Sequence, residues 1–140
     1  KQKMIRYAKN ENVNNVKFID YQSDEKLRVI MNESNALLVS LRNESKGMSV
    51  PSKLYYYLTA GKPIIAYVPQ GSETHLETEE GKFGIYCEYG REKELIKSIV
   101  ELKNSNKKGR MGENALKAFN SKYNNEISVK KYYDVIKEYI

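Results

Sequence analysis

The sequence predicts an α/β fold, a parallel sheet flanked by helices, and two observations carry that reading. Two short runs, Ala36–Leu41 (ALLVSL) and Ile64–Val68 (IIAYV), are almost continuously apolar. Such runs fit strands covered on both faces better than strands with one wet face. Around them, strand signals alternate with longer stretches of helical periodicity, the order that yields parallel strands joined by right-handed crossovers.

Taken in order, a first helix ends near Asn10 and Val16–Ile19 reads as a strand. Asp24–Asn32 follows as a helix, with Ser23 or Asp24 as N-cap and Leu27, Ile30 and Met31 on one face. After the strand Ala36–Leu41, Pro51 suits the first residue of a helix that Gly61 stops ahead of Pro63. The strand Ile64–Val68 leads to a short polar helix, Thr74–Glu80, and a short strand, Gly84–Cys87. Three amphipathic helices complete the chain. Glu92–Lys103 buries Leu95, Ile96, Ile99 and Leu102; Arg110–Phe119 buries Met111, Ala115 and Phe119; Ser128–Ile140 buries Val129, Tyr132, Ile136 and Tyr139. The whole is a Rossmann-like domain over residues 1–140. In such sheets ligands sit beyond the carboxyl ends of the strands, here the loops after Ile19, Leu41, Val68 and Cys87.

Composition narrows the function classes. A chain of 140 residues, 40% hydrophobic and 30% charged, has the make-up of an ordinary globular domain. No run approaches the ~20 apolar residues that span a bilayer. The single Cys87 forbids an internal disulfide and suits a reducing compartment, so a cytoplasmic location is expected. The net charge of +6 is compatible with an anionic partner, but the lysines are interspersed with acids along helix faces, as on a solvated surface. Nucleic-acid binding has only that charge in its favour and is not expected. The chain opens at Lys1 without an initiator Met, which reads as a piece of a longer protein.

The loop after Leu41, Arg42–Ser49 (RNESKGMS), carries the clearest chemistry. It contains Gly47 and leads into Val50, Pro51, Ser52 and Lys53 at a helix start. Unpaired N–H groups and partial positive charge at a helix N-terminus favour phosphate. Pro51 lacks an N–H but fixes the approach, leaving those of Ser52, Lys53 and Leu54 to point outward. Ser52, Lys53 and Tyr56 share one helical face; Leu54 and Leu58 share another that can pack on the sheet. The same residues would also serve as an ordinary cap in water, and local chemistry does not separate the two.

The run Val50-Pro-Ser-Lys-Leu-Tyr-Tyr-Tyr-Leu-Thr-Ala-Gly-Lys-Pro-Ile-Ile-Ala66 resembles the signature of the donor-binding half of retaining, two-Rossmann-domain (GT-B) glycosyltransferases. That family-four type includes many bacterial polysaccharide and lipopolysaccharide transferases. Asn15–Ile19, Ser34–Val39, Gly71–Glu73 and Gly81–Gly84 are similar to flanking segments of the same family. The resemblance implies a nucleotide-sugar donor with its diphosphate over Ser49, Val50, Ser52, Lys53 and Leu54. It places the base near Tyr21 and Gln22, and the transferred sugar near Gly47 and Met48. No metal or other cofactor is implied, because helix dipole and basic side chains stabilise the departing diphosphate. The family's two Glu positions fall on Met48 and Tyr56, so ribose and sugar contacts would pass to Tyr56 or to Glu44 in the loop. Its first strand of this half and its acceptor-binding N-terminal half would precede Lys1, so the fragment alone is expected to be inactive. In a longer protein, a lipid-linked acceptor would bring Lys107, Lys108 and Arg110 to an anionic membrane; a solvated helix end is the plainer reading.

Other signals have plain explanations. His75, the one histidine, stands among Glu73, Glu77 and Glu79 and reads as solvated surface rather than metal ligand. Cys87 reads as a core thiol, and Tyr55 and Tyr57 as packing residues rather than a base-stacking platform. Two other readings remain: a non-catalytic nucleotide- or sugar-binding module, and an α/β interaction module of the same fold.

Overall fold

The computed structural model describes residues 1–139. Its centre is a three-stranded parallel sheet in the order β1 (Leu37–Ser40), β2 (Ile64–Val68), β3 (Gly84–Glu88). Leu37 pairs with Ile64 and Val39 with Ala66; on the other side Ile64 pairs with Gly84 and Val68 with Glu88. The fold is the α/β, Rossmann-like arrangement that the alternating runs predict.

β2 is the middle strand, and its side chains show why its sequence carries no polar alternation. Ile64, Ile65, Ala66 and Val68 are all buried, and only Tyr67 is partly exposed. On one face of the sheet, Leu37, Val39 and Ile64 pack with Met31, Leu54, Leu58, Phe83, Ala115 and Ala118. These contacts draw in α2 (Asp24–Glu33), α3 (Lys53–Leu58) and α6 (Lys108–Ala118). The Ser23 hydroxyl accepts the Lys26 N–H and so caps α2. α6 comes so close to the turn after α3 that a Cβ on Gly112 would overlap the Gly61 carbonyl oxygen. Gly61 has φ +61°, the left-handed conformation that ends a helix. The other helices are α1 (Gln2–Asn10), α4 (Glu73–Gly81), α5 (Glu92–Asn104) and α7 (Asn125–Lys137). Cys87 is buried, its sulfur 4.0 Å from the Ser98 hydroxyl, a core thiol as expected.

Four expectations need correction. Val16–Ile19 is not a strand: no backbone hydrogen bond joins it to the sheet among the described residues, and Val16, Phe18 and Ile19 are exposed. A strand exists only with a partner edge, and here nothing supplies one. α5 buries Leu102 but leaves Ile96 and Ile99 exposed, because it covers a narrow three-stranded face. α6 buries Gly112 and Ala118 beside the expected Ala115, since small residues let it sit close to Gly61; Met111 is only half-buried, and Phe119 packs half-buried against the core from beyond the helix end. A π-helical turn, Phe119–Tyr123, then redirects the chain into α7. The apolar face of α7 is open: Val129, Tyr132, Ile136 and Tyr139 are exposed, and no α7 residue is buried. The predicted end of that helix, Ile140, lies outside the described residues.

Candidate functional site

The loop after β1 begins with a 3₁₀ turn, Asn43–Ser45, and reverses at Gly47, where φ is +75°. The Ser45 carbonyl accepts both the Met48 and Ser49 amides, which folds Lys46–Ser49 into a tight bend. The amides of Gly47 and Val50 make no hydrogen bond among the described residues. Across from this bend lies the turn after β2, where Ser72 N–H donates to the Pro69 carbonyl and Gly71 takes φ +73°. Between the two turns is a recess of about 580 Å³, lined by Lys46, Gly47, Met48, Ser49, Val50, Tyr55, Gly71, Ser72 and Glu73. It opens where the carboxyl ends of two adjacent parallel strands deliver their loops, the usual ligand position in an open α/β sheet. Its volume lies in the range of small-molecule sites.

The second wall is rigid for a reason the sequence hides. α4 faces the core with polar residues: Thr74, His75 and Thr78 are buried. The Ser72 hydroxyl caps the helix by accepting the His75 N–H, and the Thr78 hydroxyl donates to the Thr74 carbonyl. His75 is therefore not solvated surface. Its Nδ1 accepts the Gly71 N–H at 2.8 Å, its Nε2 lies 3.2 Å from Glu79 Oε2, and its ring sits 3.8 Å from that of Tyr86. An Nδ1 that accepts leaves the proton on Nε2, facing the carboxylate. The imidazole thus ties the recess wall to β3.

Of the residues singled out by sequence, the recess brings together Gly47, Met48, Ser49 and Val50. Ser52 and Lys53 are exposed at the start of α3 and lie off its lining. Leu54 departs from expectation: its N–H donates to the Pro51 carbonyl and its side chain is fully buried, so that amide is not free. The cause is that α3 starts at Lys53, two residues after Pro51, through a turn that uses the amide internally. Tyr56 packs against the core and Glu44 sits in the 3₁₀ turn, both away from the recess. Tyr21 and Gln22 lie in the irregular segment ahead of the Ser23 cap, with the Gln22 amide donating to the Asp20 carbonyl.

Sequence reasoning missed Lys46, Tyr55, Gly71, Ser72 and Glu73 as lining residues. Burial, then the charges of Glu77 and Glu73, raise the Tyr55 phenol above its ordinary pKa and keep it neutral. Its ring packs 4.7 Å from that of Tyr123. Among the described residues, no group of three or more His, Cys, Asp or Glu side chains converges, and no helix is long and apolar enough to cross a membrane.

Compared with known families, residues 1–118 match the one described as Glycosyl transferases group 1. No curated protein and no solved structure matches the chain. The matched span runs from α1 to the end of α6 and includes the whole recess.

Proposed function

The chain belongs to the Glycosyl transferases group 1 family, and from that premise we propose that it is the donor-binding domain of a retaining, metal-independent glycosyltransferase. The recess between the β1 and β2 loops carries the reading. A nucleotide-sugar needs a place for a diphosphate, and the recess offers the Gly47 and Val50 amides and the Lys46 ammonium. Positive charge and fixed N–H donors there also stabilise the negative charge that builds on a departing diphosphate. The base then lies towards Tyr21 and Gln22, beyond the recess. The acceptor comes from an N-terminal half of the same longer protein, and the work is hexosyl transfer in surface-polysaccharide assembly at the cytoplasmic side of a membrane.

Ligand titration tests this. With UDP, GDP and ADP in turn, one nucleotide stabilises the domain, by about 1.4 kcal/mol at tenfold excess over its dissociation constant. Lys46→Ala weakens that response. A folded domain that answers to none of the three sinks the reading. The vacant carboxylate slots, Met48 and Tyr56, favour one other reading: a module that binds the nucleotide without transferring the sugar. Nucleotide binding without transfer, once the domain is joined to its acceptor half, identifies it.

A further inference from the structure

The recess holds two opposite charges that do not meet. Lys46 lies against the Gly71 turn, where a Cβ built on Gly71 would sit 3.3 Å from Nζ. Glu73 lines the recess two residues further on, at the first position of α4. Neither Lys46 nor Glu73 forms an ion pair among the described residues. Glu73 is also the one carboxylate on the lining. The wall that carries it is held by the Ser72 cap, the buried Thr74 and the hydrogen bond from Gly71 to His75.

An unpaired cation and an unpaired carboxylate in one recess suit a ligand that brings both an anion and hydroxyl donors. A carboxylate accepts two neighbouring hydroxyls at once, which neither Met48 nor the core-packed Tyr56 can do. Tyr55 closes the same side with a neutral phenol. We propose that Glu73 accepts the vicinal hydroxyls of the donor while Lys46 takes its phosphate. This assignment rests on the donor-site reading above and gives the missing carboxylate a new position, on the wall opposite the one where sequence comparison looks for it. A purely structural Glu73 would instead only favour the positive end of α4.

The discriminating experiment pairs each of UDP, GDP and ADP with its 2′,3′-dideoxy form, adds inorganic pyrophosphate and UDP-glucose, and measures affinity by titration. Glu73→Gln preserves size and is checked for an unchanged fold by circular dichroism. The expected result is a loss of roughly 10- to 100-fold for the hydroxyl-bearing nucleotide, the range of a lost hydrogen bond to a charged group. Binding of the dideoxy form and of pyrophosphate stays unchanged, and Lys46→Ala weakens all ligands alike. A loss confined to UDP-glucose also supports the assignment and places the hydroxyls on the transferred sugar rather than the ribose. Equal losses for every ligand in Glu73→Gln, or none, overturn it while leaving the donor site standing. Wild-type protein that binds neither pyrophosphate nor any nucleotide sinks both, and is told apart by failing before any substitution is made.

Discussion

Gly84 begins β3 with no room for a side chain: a Cβ there would overlap the Ile64 backbone across the ladder. Gly84→Ala therefore forces two hydrogen-bonded strands apart, and overpacking of this kind costs roughly 1–3 kcal/mol, readable as a lowered urea midpoint. Gly109 makes the comparison. It lies early in α6 with nothing within 4 Å of a built Cβ. Gly109→Ala should leave stability unchanged or raise it by about 0.4–1 kcal/mol through a less flexible unfolded chain. His75 acts differently, through one hydrogen bond. His75→Phe keeps a ring against Tyr86 but leaves the Gly71 amide without its acceptor, a loss of about 1–3 kcal/mol for a buried donor. Faster hydrogen exchange at Gly71 should accompany it. His75→Asn, which returns an acceptor near Nδ1, should restore protection, and unchanged exchange at Gly71 in His75→Phe would refute the positioning role.

Among the elements, α3 is the one that joins fold to site. Leu54 and Leu58 are fully buried on its sheet side while Tyr55 faces the recess. Leu58→Ala should cost about 2–5 kcal/mol, as large-to-small changes in packed cores do. Ile96→Ala on the exposed side of α5 should stay within about 0.5 kcal/mol. The contrast also marks what the sequence discloses. ALLVSL and IIAYV are legible as strands because burial on both faces removes polar alternation, and the Leu54–Leu58 spacing gives the α3 stripe directly. The helical periods of α5 and α7 are equally clear, but periodicity says which side is apolar and not whether anything covers it. Val16–Ile19 fails for a related reason, since strand propensity is local and a partner edge is not. The second wall of the recess was illegible because α4 buries Thr74, His75 and Thr78, so its inward face carries no hydrophobic pattern. Half the site, Gly47–Val50, follows from the loop chemistry after Leu41; Gly71–Glu73 joins it only through the β1–β2 pairing.

For the molecule as a whole, the ionisable groups set a stability window that closes at high pH. Burial raises the phenols of Tyr55, Tyr57, Tyr86 and Tyr123 above their ordinary value, most of all Tyr123, which also faces the Glu77 carboxylate. Lys122 is raised as well, by its hydrogen bond to Glu80. A group that holds its proton more tightly when folded contributes fully below its unfolded pKa, and that contribution fades as pH climbs through the folded one. The loss should therefore set in above about pH 10, the ordinary tyrosine value. On the acid side, the Tyr67 hydroxyl donates to Glu92 at 2.8 Å and lowers that carboxylate. Its contribution is present above the ordinary carboxylate pKa and is lost as pH falls through the lowered one. Melting temperatures from pH 3 to pH 11 should trace a plateau with both shoulders. Tyr67→Phe should shrink the acid shoulder and part of the alkaline one, because burial and the hydrogen bond to Glu92 raise the Tyr67 phenol as well. Tyr123→Phe should shrink the alkaline shoulder, because it removes the phenol that burial and Glu77 raise most. An alkaline slope identical in wild type and Tyr123→Phe would show that the Tyr55–Tyr123 cluster, on the side of α3 that borders the recess, does not govern the stability of the domain.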